Sequence, residues 1–299
     1  MFAPVALFVY KRLWHTQETI SALASNTLAD QTELIIFSDG PKSEPDTEVV
    51  GNVRSYIRTI TGFKSIEIIE RPENMGLANS IIDGVTNILT RYDKVIVLED
   101  DLVTSPSFLT YMNNALELYK SDEEVISVHG YVYPVPETLP ETFFLRGADC
   151  WGWATWKHGW RHFERDGKRL LRELIERNLE QAFDLDGGYP YTRMLKKQIE
   201  GKNDSWAIRW HASAFIENKL TLYPGKSLVQ NIGNDSSGTH SWDNTRYNQK
   251  KLAQSIKLER LILKEDTLAK SLISKYLKST SPSMIRKIFS RLKFLLNKK

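Results

Sequence analysis

Val95-Ile96-Val97-Leu98-Glu99-Asp100-Asp101 is a run of four apolar residues that ends in three carboxylates. Two Val and one Ile behind the polar pair Asp93-Lys94 predict a short strand covered on both faces, because parallel strands in α/β sheets read as continuous β-branched runs. The acidic triplet then falls at the carboxyl end of that strand, where open α/β sheets place their ligand crevice. Three adjacent carboxylates repel one another at neutral pH, and a divalent cation relieves the repulsion. Hard oxygen donors suit Mg²⁺ or Mn²⁺, with water and substrate phosphates completing the shell. A solvated acidic turn, with Asp101 capping the helix after Pro106, is the alternative reading.

Upstream, Val5–Tyr10 reads as a strand, and Thr16–Ser25 carries a helical pattern with Ile20, Leu23 and Ala24 on one side. Leu34–Phe37 is a second buried strand, followed by a helix from about Val49 to Thr59, a strand Ser65–Ile69 and a helix Ala78–Thr90 that runs into the Val95 strand. This βαβαβαβ order with short links predicts a mostly parallel, doubly wound sheet flanked by helices. Asp39, in the turn Ser38-Asp39-Gly40-Pro41, is a candidate ligand for a base or ribose; forming the turn with Gly40 explains it equally well. Arg71 and Asn74 follow the third strand, and Gly76 and Asn79 open the next helix, whose N-terminus favours a diphosphate. A simple turn and cap is the competing reading. There is no GxGxxG and no GxxxxGK[ST], which leaves a dinucleotide fingerprint and a P-loop unsupported.

Downstream, Ser107–Lys120 is predicted helical, with Phe108, Tyr111, Met112, Ala115, Leu116 and Tyr119 forming a core stripe. Val125–Val128 is a further strand. Trp151, Trp153, Trp156 and Trp160 fall within ten residues, and Trp153 beside Gly152 is a candidate pocket wall against sugars or bases; core packing is the alternative. Residues 161–183 read as a charged, solvated helical element. Asp204, ahead of the aromatic helix start Ser205-Trp206, is either an N-cap or a general base. Gly233–His240 is a polar, glycine-bounded loop suited to a flap, with His240 placed to meet a phosphate or a metal, or to stand passively exposed.

With 299 residues, 41% of them hydrophobic, the chain can bury a substantial core. Cys150 is the only cysteine, which excludes an intrachain disulfide and reads as a packed small residue. Met1–Tyr10 lacks a basic n-region, and no stretch approaches the length of a membrane span. Residues 251–299 hold ten Lys and three Arg against Glu259, Glu265 and Asp266, a local charge of +10 that leaves −7 for residues 1–250 of the overall +3. The tail is predicted as helices over 248–263 and 268–277, a Ser/Pro break at 279–283, and a last helix with Ile285, Ile288, Phe289, Leu292, Leu295 and Leu296 on one side and basic residues around the other. Such a basic amphipathic helix suits an anionic membrane surface, with coverage of the domain's own surface as the alternative. Nucleic acid is the weaker partner, because the net basic charge is concentrated in the tail and the body is acidic. The expected division is 1–245 and 246–299.

In order along the chain, Phe37-Ser38-Asp39-Gly40, Asn74-Met75-Gly76-Leu77, Glu99-Asp100-Asp101-Leu102, Trp151–Trp156, Asp204-Ser205-Trp206 and Gly233–His240 resemble the nucleotide-diphospho-sugar transferases of the GT-A fold. The likeness is to the N-acetylglucosaminyltransferase I type and to bacterial surface-polysaccharide transferases, over roughly residues 4–242. It implies that Asp39 reads the base, that Asp101 holds a Mn²⁺ (or Mg²⁺) bridging the diphosphate, and that Glu99 and Asp100 orient ribose and sugar hydroxyls. It also implies that Asp204 deprotonates the acceptor hydroxyl, with inversion at the anomeric carbon. Asn203-Asp204-Ser205-Trp206 lacks a second acidic residue expected beside that base. The expectation is a metal-dependent inverting transferase moving sugar from a UDP-sugar to a saccharide or lipid-linked acceptor, cytoplasmic and peripheral to the membrane. The competing readings are a sugar-phosphate nucleotidyltransferase, for which Lys11-Arg12-Leu13-Trp14 supplies charge but no glycines, and a non-catalytic membrane-associated binding protein.

Overall fold

The computed structural model describes residues 1–235 and 245–280. The apolar runs form the parallel strands β1 (Val5–Val9), β2 (Glu33–Ser38), β3 (Ser65–Glu70) and β4 (Lys94–Glu99), with β1 paired to β2 on one side and β4 on the other. Successive side chains leave a strand on opposite faces. Thus Val5, Leu7, Ile36, Ile96 and Leu98 enter one core, and Ala6, Phe8, Ile35, Val95 and Val97 enter the other. Helices α1 (Leu13–Ala24) and α2 (Asp46–Ile57) cover the first face, α3 (Leu77–Arg91) covers the second, and α4 (Phe108–Leu118) returns to the first. Both faces are covered, so the interiors of β1, β2 and β4 are unbroken apolar runs, whereas the edge strand β3 carries Glu67.

The chain continues through β5 (Leu102–Thr104), β6 (Val125–His129), β7 (Thr142–Arg146), β8 (Trp153–Trp156), β9 (Leu220–Pro224) and β10 (Val229–Asn231). The main sheet has eight strands in the order β3-β2-β1-β4-β8-β6-β9-β7, and β8 and β7 run antiparallel to their neighbours. β5 and β10 form a separate antiparallel ribbon. Between β8 and β9 lie α5 (Lys157–Trp160), α6 (Gly167–Glu176), α7 (Glu180–Phe183), α8 (Tyr191–Ile199) and α9 (Trp206–Ile216). The architecture is the mostly parallel α/β sheet with flanking helices that the sequence predicts.

Two segments differ from expectation. Residues 161–183 are not one solvated helix: Asp166 caps α6 by accepting from the Lys168 N–H, and Asn178 at φ 53° ends it. Leu170, Leu174 and Phe183 are buried with Leu195, Ile208 and Phe215 in a third apolar cluster against α9. Residues 248–263 form no helix. Their N–H groups bond outward, Ala253 to the Ser227 carbonyl, Lys257 to the Glu141 carboxylate and Leu261 to the Tyr119 hydroxyl, which removes the donors a helix would use. The strap leads to α10 (Thr267–Thr280), whose Ala269, Ile273 and Leu277 recur every four residues and are buried in the main core. The amphipathic stretch 285–296 lies outside the described residues. Among those described, no helix is long and apolar enough to cross a membrane.

Ile273 is fully buried, so Ile273→Ala is expected to cost about 3 kcal/mol in urea unfolding, within one cooperative transition. An unchanged midpoint would show that α10 adds nothing to the stability of the sheet.

Candidate active site

The chain winds from β1 outward to β2 and β3, then returns to place β4 on the other side of β1. At such a switch point the connections leave in opposite directions and open a crevice beyond the carboxyl ends. Arg12 enters this crevice from β1, and Glu99, Asp100 and Asp101 enter from β4. The Arg12 guanidinium bonds the carboxylates of both Asp100 and Asp101, the latter at 2.7 Å. Asp101 therefore caps no helix. The Thr19 hydroxyl donates to the Asp100 carbonyl at 2.8 Å, fixing the turn from α1. Asp100 is only 5% exposed.

Burial, followed by the charges of Asp101 and Asp100, holds the Glu99 carboxyl above the ordinary range. Burial also raises Asp100, against the opposing pull of Arg12. For Arg12 itself burial lowers the pKa, but the two carboxylates more than offset it, and the guanidinium stays charged. From the other side the Ile232 N–H donates to the Asp101 carbonyl at 2.9 Å. Gly233 follows, where a Cβ would collide with the Asp101 carboxylate. His15 Nε2 and Asp235 Oδ2 stand 3.0 Å apart beside them. The start of the glycine-bounded loop thus lies on the triplet; His240 lies outside the described residues.

Asp39 occupies the adjacent turn. Its Oδ1 accepts from the N–H groups of Gly40 (3.0 Å) and Met75 (2.9 Å), and its Oδ2 from the Asn74 side chain (3.0 Å) and the Gly76 N–H (3.0 Å). A carboxylate has about four acceptor sites, and protein donors take all of them. Asp39 therefore welds the turn after β2 to the turn before α3, and here offers no free oxygen to a base. The amide of Asn74 is committed likewise, to Asp39 and the Gly40 carbonyl. Gly76, at φ 73°, holds the left-handed backbone that this turn requires. Asn79 donates to the Met75 carbonyl, and Arg71 pairs with Asp83 with its guanidinium over the Phe37 ring. Asp204 faces the same turn: its Oδ2 is 3.8 Å from where a Gly76 Cβ would stand, and Arg209 is 3.9 Å from its Oδ1. Ser205, not Asp204, caps α9 by accepting from the Ile208 N–H, so Asp204 is not tied up as a cap.

Trp153 is a correction. It is 1% exposed and packs among Trp160, Trp206 and Trp210, so it is a core plug and no pocket wall. The strand period decides this, because Trp153 and its neighbours turn alternately to the two cores. Trp151, two residues earlier and outside the strand, lines a cavity of about 160 Å³ together with Tyr133, Asp149, Tyr189, Tyr191 and His211. Cys150 also lines it, and burial pushes its thiol well above the usual range, which removes it as a nucleophile. Sequence reasoning missed the tyrosines, which with Tyr247, also on the lining, are scattered over residues 133–247. It also undervalued Arg12, whose signal was its place directly beyond the strand adjacent to β4.

The donor set fits a hard divalent cation of the kind held by one or two carboxylates and completed by substrate oxygens. Arg12 shows that a cation is favourable between Asp100 and Asp101. Among the described residues no cluster of three or more His, Cys, Asp or Glu makes an all-protein cage.

No family model matches the chain, and no curated protein does. Among solved structures it is similar to the mannosyltransferase PcManGT from Pyrobaculum calidifontis in complex with GDP-Man and Mn²⁺, at 16% identity over 44% of this chain and 35% of that one, with a TM-score of 0.33. It is also similar to S. aureus TarS, at 11% identity over 52% of this chain and 28% of that one, with a TM-score of 0.35. The chain thus spans well under two thirds of either protein.

Two predictions follow from the buried charges. Arg12→Ala strips Asp100 of its counter-ion and is expected to cost about 3 kcal/mol in urea unfolding; a loss below about 1 kcal/mol would show that solvent replaces the guanidinium. His129 is wholly buried, accepts the Trp151 N–H at its Nε2, and is held by burial below the ordinary imidazole pKa despite a smaller opposing pull from Asp149. The unfolded chain takes up this proton near pH 6.5 and the folded chain only below that, so the contribution of His129 is full above about pH 6.5 and is lost as the pH falls. The stability gap between the native chain and His129→Gln should therefore narrow from pH 7.5 to pH 5. A constant gap would contradict a buried neutral imidazole.

Proposed function

We propose that this chain is a glycosyltransferase that moves a sugar from a nucleotide-diphosphate donor, a UDP-sugar, to a saccharide or lipid-linked saccharide acceptor. The observation that carries this reading is the convergence of the Glu99-Asp100-Asp101 triplet with Arg12 at the switch point between β1 and β4. A crevice at that point suits a nucleotide, and a cluster of carboxylates there suits a diphosphate only with cationic help. Asp101, with Asp100, would hold a Mn²⁺ or Mg²⁺, which when bound supplies neutralisation of the diphosphate charge.

The chain's own residues have separable tasks. Asp39, Asn74 and Gly76 set the turn that forms the floor for the nucleotide, with Arg71 and Asn79 on its flank. Glu99 and Asp100 orient ribose and sugar hydroxyls. Asp204 accepts the proton of the acceptor hydroxyl as that oxygen bonds to the anomeric carbon and the nucleoside diphosphate leaves with the electron pair of the broken bond. Attack opposite the leaving group inverts the configuration. We place the activity in surface polysaccharide assembly, with the basic tail beyond Thr280 resting on the inner, anionic face of the cell membrane.

The test is titration calorimetry with UDP, with and without Mn²⁺, in the native chain, Asp101→Ala and Asp204→Ala. Metal-dependent UDP binding should be lost in Asp101→Ala and kept in Asp204→Ala, while transfer by Asp204→Ala falls about 10²-fold or more. Metal-independent binding, or none, would remove the triplet from the donor site.

A further inference from the structure

We infer that the aromatic cavity beside residues 148–151 seats one uncharged sugar ring of the acceptor, holds it through Asp149 and His211, and rejects sugars that carry a carboxylate. This inference rests on the transferase reading and gives its acceptor a chemical class. The cavity lies on the flank of the crevice. Gly152 packs toward Leu98, the residue before the triplet, and Cys150 feels the charges of Glu99 and Asp101. Its volume of about 160 Å³ suits a single pyranose and is too small for a nucleoside diphosphate.

The walls match the two surfaces of a sugar. Tyr133, Trp151, Tyr189 and Tyr191 supply aromatic faces, the last two with ring centroids 4.6 Å apart, against which the C–H face of a pyranose loses water favourably. Polar capacity is left over for hydroxyls. Asp149 Oδ1 accepts from the Cys150 N–H at 2.9 Å, the Cys150 thiol also bonds this carboxylate, and the Tyr133 hydroxyl lies 3.5 Å from Oδ2, which leaves about one of its four acceptor sites for a ligand hydroxyl. His211 Nδ1 lies 2.8 Å from the Ala148 carbonyl, whereas its Nε2 is buried without a partner. A buried polar atom of this kind costs free energy until something bonds it, and a ligand hydroxyl would remove that cost.

Charge supplies the selectivity. Among the described residues Asp149 is the only carboxylate on the lining, and no Lys or Arg is on it. A uronate carboxylate would meet Asp149 in a partly desolvated site, with the Arg246 guanidinium held behind the Tyr247 ring and off the lining, whereas a neutral or N-acetylated sugar carries only dipoles.

The experiment is saturation-transfer NMR on the full chain with methyl glycosides of glucose, galactose, mannose and N-acetylglucosamine, against the uronate of each of the four. At least one neutral glycoside should bind, with its uronate about tenfold weaker or more, the equivalent of about 1.4 kcal/mol. Asp149→Asn should bring the two within about threefold, because the like charge is gone. Tyr191→Phe should leave neutral binding within about twofold and Tyr191→Ala should weaken it about tenfold, which separates ring stacking from hydroxyl loss. The inference is overturned if no glycoside binds, if native chain and Asp149→Asn discriminate equally, or if UDP displaces the glycoside from the cavity. UDP binding is scored separately. If glycosides bind as stated and UDP does not, the cavity stands and the transferase reading falls.

Discussion

Three adjacent carboxylates at the end of a buried strand must be compensated, and the structure answers with one guanidinium. Arg12 reaches across from β1 and bonds Asp100 and Asp101 together. That pairing fixes more than charge. It holds the turn after β1 against the turn after β4, and these are the two strands whose divergence opens the crevice. Burial, and after it the negative charge that one guanidinium leaves uncompensated, hold Glu99 and Asp100 reluctant to ionise. A site in this state is poised for further positive charge, and a diphosphate could enter only alongside it.

Around that centre, side chains divide between shaping and reacting. Asp39 spends its whole carboxylate on backbone and amide donors, so it acts as a rivet between two turns. Asp204 is the opposite case. It sits across Gly76 with its carboxylate largely exposed, and capping of α9 falls to Ser205. The four-tryptophan run divides the same way: Trp153 fills the core, whereas Trp151 stands beside a cavity.

The parallel half of the sheet was legible because its strands are continuous apolar runs and its links are short, so period and turn chemistry agree. The positions of Asp39 and the triplet at one edge followed from strand polarity, whereas Asp204 precedes a helix and was placed in the site only by resemblance. Which oxygen of Asp39 was already taken did not follow, since its donors come from Gly40 and from residues 74–76, and a sequence does not say how two turns meet. The strap at 248–263 was misread because its apolar residues are spaced for burial along a groove, and its backbone donors find partners in Ser227, Glu141 and Tyr119. The aromatic cavity was invisible because its walls come from five separate segments, brought together only by tertiary packing.

The ribbon of β5 and β10 has a consequence for how the protein is made. It pairs residues 102–104 with residues 229–231, and through Ile232 it ties down the backbone at Asp101 itself. During synthesis β1 to β4 are all made by residue 99, but this clasp has to wait for residues 229–231, produced much later. In the interval the acidic turn is anchored on one side only, with Arg12 as its early partner. The crevice is thus completed from the far end of the chain inward, and a nascent or prematurely terminated chain would carry a folded half-sheet without a finished site.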